Sequence, residues 1–152
     1  MSISSDGIIA YGYNFPEGFE FPWGNDDIID WWIDTVHGYK PPFKVFTATG
    51  DYLAPKPPQS RIDEYFAHRR NFADALPKLD VEMVIHCSFD YSMYIMAIPG
   101  TNMSVCRGYP EPIPDGFIRH DPEWDRILAD FCNKYDIKIP GDPSWWLTSL
   151  YG

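Results

Sequence analysis

The chain has 152 residues, of which 45% are apolar and 17% aromatic, and it carries 22 acidic against 12 basic side chains. So much apolar and aromatic area offsets the entropy of ordering a compact domain, so the composition excludes intrinsic disorder. No stretch approaches the ~20 uncharged apolar residues of a membrane span, and a net charge of −10 argues against direct binding to the phosphates of nucleic acids.

The first quarter of the chain, residues 1–39, is an acidic block. It holds seven acidic side chains and no Lys or Arg, whereas the remainder holds fifteen acidic and twelve basic side chains. The uncharged, β-branched and aromatic run Gly7–Phe15 predicts an opening strand. Asn25 then predicts the N-cap of a helix over Asp26–His37, which Gly38 ends.

This first predicted helix carries its acidic side chains on one face. Asp26, Asp30 and Asp34 recur every four residues, with Asp27 beside them, so successive carboxylates lie about 6 Å apart. That step is close to the spacing of phosphates along a nucleic-acid strand, and such a row can imitate DNA in a basic groove of a partner protein. The alternative is a solvated face that only keeps the protein soluble. Trp31 lies at the border of the acidic and apolar faces, where we expect partial exposure.

The middle of the chain predicts a second helix and then three short strands. Ser60 begins the helix, with Asp63 placed as in a capping box, and Pro77 stops it. The strands are separated by turn signals, as in an antiparallel meander, and cover Val81–Cys87, Met93–Ile98 and Met103–Arg107.

The end of the chain predicts a third helix and an aromatic tail. The helix begins at Asp121 with Pro122 in its first position. The tail, residues 140–152, contains Trp145, Trp146 and Tyr151, which we expect to dock on the body of the protein or on a partner, because exposing them would forfeit several kcal/mol of burial. A second copy of the chain is one candidate partner. The fold class is α+β, a single domain over residues 1–152 with an antiparallel sheet of about four strands covered by three helices.

The cysteines and histidines do not predict a catalytic or metal site. Cys87, Cys106 and Cys132 form no C-x-x-C pair, so we interpret them as reduced core residues. His86 and Cys87 suggest a thiol nucleophile, but neighbours on a strand point to opposite faces, which is a poor arrangement for activation. We therefore expect no catalytic residue, no metal and no cofactor, and keep a small hydrolase or nucleotide-handling enzyme built on the Cys87 hairpin as an alternative.

Three stretches resemble small uncharacterised accessory proteins of bacteriophages and prophages of proteobacteria. The stretches are Pro57-Pro58 with Ile62-Asp63-Glu64-Tyr65 and Arg69-Arg70; His86-Cys87-Ser88 through Asp90-Tyr91 and Met93-Tyr94-Ile95 to Ile98-Pro99-Gly100 and Arg107-Gly108-Tyr109-Pro110; and Trp145-Trp146-Leu147-Thr148-Ser149-Leu150-Tyr151-Gly152. The resemblance implies an accessory protein that acts in a bacterial host cytoplasm.

Together these observations predict a host-protein inhibitor. The expected partner is a host protein with a basic nucleic-acid-binding surface, such as gyrase, RNA polymerase or a nucleic-acid-guided defence complex. The residues expected to contact it are Asp26, Asp27, Asp30, Trp31 and Asp34. A component of the virion or of its assembly, held together by the aromatic tail, is a further alternative.

Overall fold

The computed structural model of the chain describes residues 5–88 and 90–151. Packing groups them into two compact units. The sheet unit contains the residues up to Gly24 and from Asp80 onward, and the helical unit is Asn25–Leu79. The α+β class is confirmed, and the elements in chain order are β1 Ser5–Asn14, α1 Ile28–Trp31 with a π-helical segment Trp32–Val36, α2 Gln59–Asp74, β2 Glu82–Ser88, β3 Ser92–Ala97, β4 Met103–Cys106, α3 Pro122–Lys134 and β5 Ser144–Tyr151.

The sheet has five strands rather than the predicted four, in the order β3-β2-β5-β1-β4. All pairs are antiparallel except β2 with β5. The last residues of β1 also pair with β3, with Gly12 opposite Ala97 and Asn14 opposite Ile95. This additional pairing joins β1, β3, β2 and β5 into a closed ring, while β4 extends one edge of β1.

The ring of strands encloses the core of the sheet unit. Alternate residues of a strand share a face, and one face of each ring strand contributes to a common buried cluster. The cluster consists of Ile8, Ala10, Val84, Ile95 and Ala97, with Trp146 and Leu150 packed against it. The fifth strand that sequence patterns missed is therefore the aromatic tail itself, which supplies part of this core.

Gly12 allows the ring to close. A Cβ atom at this position would lie 1.9 Å from the carbonyl oxygen of Met96 and 2.8 Å from the Cα atom of Ala97. Since neither backbone atom can rotate away, only glycine fits at this position, where β1 pairs with both β5 and β3. The carbonyl of Gly12 also accepts a 2.9 Å hydrogen bond from Trp146 Nε1, which ties β5 to the same point.

Helix α3 packs against β1 on the opposite face of the sheet. Its start is as predicted, because the side chain of Asp121 accepts from the backbone amide of Glu123 at 3.0 Å and Pro122 occupies the first turn. The buried thiol of Cys132 lies 3.7 Å from Met96 Sδ of β3. Each face of the sheet is thus covered near its centre, one by the enclosed core and the other by α3.

The helical unit departs from two predicted helix starts. Asp27, not Asn25, caps α1, with its carboxylate accepting from the amide of Ile29 at 2.7 Å. Asp27 has the extended backbone and short acceptor that an N-cap requires, so Asp26 lies outside the helix. Helix α2 is preceded by Pro58 and has no side-chain cap. The capping box is wrong because the carboxylate of Asp63 accepts from the side chain of Gln59 instead.

Candidate interaction surface

The four predicted acidic residues form an exposed acidic ridge at the start of the helical unit, defined as Asp26, Asp27, Asp30 and Asp34. Asp26 and Asp27 precede α1, Asp30 lies within it, and Asp34 lies in the π-helical segment. The regular four-residue repeat on one helix therefore begins at Asp30 rather than Asp26. All four side chains are exposed to solvent.

Arg69 of α2 pairs with two carboxylates of the acidic ridge. Its Nη1 donates to Asp34 Oδ1 at 2.5 Å, and its Nη2 donates to Asp30 Oδ1 at 3.0 Å and to Asp34 Oδ2 at 3.3 Å. The planar guanidinium holds both carboxylates with donors in fixed directions. This counter-charge is not visible from local sequence, because Arg69 is 35 residues away from Asp34.

Arg69 is itself positioned by an aromatic residue of the helical unit. Its guanidinium lies 5.3 Å from the ring centre of buried Tyr39. The hydroxyl of Tyr39 shares a 3.0 Å hydrogen bond with His68 Nδ1, and its ring packs on Phe72. The hydrogen bond with Asp34 raises the pKa of Arg69 above its ordinary value. The arrangement therefore keeps a permanent cation between two fixed carboxylates.

Trp31 does not lie on the exposed surface. It is 8% exposed, so the expected partial exposure is wrong, whereas the nearby Ile29 is 49% exposed. Ile28 and Trp31, three positions apart on α1, share the face that is buried, whereas Ile29 and Asp30 between them face solvent.

The tryptophans of the predicted tail are anchored within the sheet unit. Trp145 Nε1 donates to the carbonyl of Arg119 at 2.8 Å, and its ring lies edge-on to Tyr11. Trp146 donates to Gly12 and packs on the core. The backbone of Tyr151 ends β5, and its side chain lies outside the described part of the chain. The tail is therefore ordered by contacts within its own chain.

The Cys87 hairpin holds no thiol with a neighbouring base among the described contacts. His86 is buried, and its Nδ1 shares a 3.0 Å hydrogen bond with Thr148 Oγ1. Burial lowers the pKa of His86 below its ordinary value. The interpretation of all three cysteines as core is wrong for Cys106, which is exposed because it ends the outermost strand; Cys87 is partly exposed and Cys132 is buried.

One polar network was not visible in the sequence. Tyr11 Oη donates to Asp125 Oδ1 at 2.5 Å, and Asp125 Oδ2 lies 2.8 Å from His120 Nε2. Burial raises the pKa of Asp125, but the hydrogen bonds with Tyr11 and His120 outweigh it and hold that pKa below its ordinary value. Tyr11 and Asp125 are 114 residues apart, so no local pattern could have paired them. The network fixes α3 to β1.

Within residues 5–88 and 90–151, no group of three or more His, Cys, Asp or Glu side chains is placed to hold a metal ion. No helix in that part of the chain is long and apolar enough to cross a membrane. Comparison of the chain with protein-family models, curated proteins and solved structures finds no match.

Proposed function

We propose that this protein binds and inhibits a host protein that handles nucleic acid, with the acidic ridge occupying the partner's basic surface. The placement of Arg69 beneath the ridge carries the proposal. The side chain of Arg69 is 25% exposed, whereas those of Asp30 and Asp34 are 61% and 49% exposed. An approaching partner therefore meets the carboxylates before the guanidinium.

The acidic ridge combines negative charge with fixed geometry. Its four carboxylates and the guanidinium of Arg69 leave a net charge of −3. Because Arg69 already holds Asp30 and Asp34, binding a partner would cost little additional side-chain entropy at these two residues. Complementary charge also speeds association and discriminates against acidic partners.

The resemblance to phage accessory proteins supplies the biological context of the proposal. It favours a bacterial host cytoplasm, and the partners that fit an acidic, phosphate-like surface there are gyrase, RNA polymerase or a nucleic-acid-guided defence complex. In this proposal the protein catalyses no reaction, and the activity that changes is the partner's.

A capture experiment with a charge variant tests the proposal. The double variant Asp26→Asn, Asp27→Asn removes two charges from the ridge, leaves the Arg69 pairs in place and keeps an N-cap, since Asn caps helices as well as Asp. The matched control, Glu64→Gln with Asp74→Asn, removes two exposed charges from α2 outside the ridge.

We expect the tagged protein to capture a nucleic-acid-handling protein from a proteobacterial lysate, identified by mass spectrometry. We also expect added duplex DNA to release the captured protein. The control should capture the same protein, while the ridge variant should bind it about tenfold more weakly, a loss of ~1.4 kcal/mol. Equal capture by the ridge variant, or capture that duplex DNA does not disturb, would contradict the proposal.

A second variant separates fixed geometry from simple charge. Arg69→Gln makes the ridge more negative but releases Asp30 and Asp34. If charge alone governed affinity, this variant would bind the captured partner more tightly. The proposal predicts weaker binding, measured by titration calorimetry on protein whose circular dichroism spectrum matches the wild type.

A further inference from the structure

Strand β4 lies at one edge of the sheet. It is the last strand in the sheet order and pairs with β1 from Asp6 to Ile9. Among the described residues, no strand pairs with its other edge. Its sequence, Met-Ser-Val-Cys over Met103–Cys106, is short but contains neither charge nor proline, two of the features with which proteins block pairing at such edges.

On the face of the sheet that packs against α3, a row of apolar side chains runs across β5, β1 and β4. Ile9 lies directly opposite Leu147 of β5 on one side and Met103 of β4 on the other. Side chains so paired have Cβ atoms about 5 Å apart. Leu147 is 83% exposed, and Ile9 and Met103 are partly exposed. The next row on this face, formed by Tyr11 and Trp145, is covered by contacts with α3 and the loop before it. The row of Ile9, Leu147 and Met103 is therefore the first row that α3 and this loop leave exposed.

The opposite face of the same edge favours a cation. Ser104 and Cys106 are small and exposed there, and Asp6 lies directly opposite Cys106 with its side chain partly exposed. An added strand would lie two strand spacings, about 10 Å, from β1, and a Lys or Arg side chain could reach over Cys106 towards Asp6. The sheet unit as a whole holds fourteen acidic and five basic side chains.

We infer that the β4 edge binds an extended segment of a partner protein that alternates apolar and basic side chains. The segment adds as a sixth strand, with its backbone pairing to β4, its apolar side chains continuing the row from Leu147, and its basic side chains facing Asp6. A second copy of the chain fits less well, because pairing β4 with β4 would bring together two strongly acidic units. The inference concerns a surface separate from the acidic ridge and does not depend on it.

A designed peptide tests the inference directly. The probe is a seven-residue peptide of alternating lysine and valine with blocked ends, and its control is the same peptide N-methylated at every residue, which keeps the charge but cannot pair as a strand. We expect the probe to bind at least tenfold more tightly than its control and to slow hydrogen exchange at the amides of Met103–Cys106.

Variants of the full chain locate the site. Leu147→Ser and Asp6→Asn should each weaken probe binding about fivefold. Ile113→Ser, which changes an exposed apolar side chain outside this edge, should leave probe binding unchanged. The ridge variant Asp26→Asn, Asp27→Asn should also leave it unchanged, so the two proposals can fail separately. Equal binding of the N-methylated peptide, exchange protection elsewhere, or light scattering that shows a dimer with protected β4 amides would overturn the inference.

Discussion

Replacing Gly12 by alanine should disrupt the ring of strands. The added Cβ would lie 1.9 Å from the Met96 carbonyl oxygen, whereas Cβ atoms in proteins essentially never approach another heavy atom within 3.0 Å. The two backbones must therefore separate by about 1 Å, which stretches the pairing of β1 with β3 and strains the hydrogen bond that Trp146 donates to Gly12. Overpacking alone costs ~1 to 3 kcal/mol, and lengthened backbone hydrogen bonds add about 1 kcal/mol.

Gly7 of the same strand provides a matched control. A Cβ there would lie 3.4 Å from Val105 Cγ2, which is an ordinary contact with a side chain. We expect Gly12→Ala to lower the free energy of unfolding by about 3 kcal/mol, or the melting temperature by roughly 6 to 12 °C, in urea and thermal unfolding followed by circular dichroism. We expect Gly7→Ala to change stability by less than about 0.5 kcal/mol. Equal stability of the two variants would refute the close approach of the β1 and β3 backbones at Gly12.

Three further predictions follow from burial and topology. Burial holds the pKa of His86 below its ordinary value, so as pH falls the unfolded chain binds this proton at a higher pH than the folded chain does. The free energy of unfolding should therefore decrease as pH drops through about 6.5. His86→Gln should reduce this decrease in unfolding measurements between pH 7.5 and pH 5. Burial raises the pKa of Cys132 to about 11, so mass spectrometry should find Cys132 unmodified in native protein under iodoacetamide and modified after denaturation; rapid native labelling of Cys132 would contradict its burial. Deleting Ser144–Gly152 removes a strand from the middle of the sheet and should abolish the cooperative unfolding transition of the sheet unit, whereas a transition of unchanged amplitude and midpoint would mean that β5 adds no stability.

Local signals were sufficient for several elements. The Asp121-Pro122 start of α3 depends only on neighbouring residues, and the strands β2, β3 and β4 are bounded by turn residues, so both were predicted within one or two positions. Strand β5 was not recognised because Trp145 and Trp146 are both apolar, which hides the alternation expected of a strand. The structure gives the reason: Trp146 packs on the enclosed core and Trp145 packs towards Tyr11 and α3, so both faces at this point are covered.

The candidate site could be predicted only in part. The acidic residues are visible in the sequence because they are close neighbours, and their exposure is expected because charged side chains are seldom fully buried. Their pairing with Arg69 depends on how α2 packs within the helical unit, and sequence spacing does not give that packing. The same limit applies to Tyr11 with Asp125, and to the row of Ile9, Leu147 and Met103, which forms only once three distant strands pair.

The salt dependence of binding tests the proposed use of the acidic ridge most directly. The dissociation constant of the purified complex with the captured partner would be measured between 50 and roughly 300 mM salt, because the screening length shortens to below about 10 Å over this range. The proteins compared are the wild type, the ridge variant Asp26→Asn with Asp27→Asn, and the control Glu64→Gln with Asp74→Asn. We expect the affinities of the wild type and the control to fall along the same steep slope with salt, and the ridge variant to bind more weakly with a shallower slope. A ridge variant whose affinity and salt dependence equal those of the wild type would show that the acidic ridge does not bind the partner.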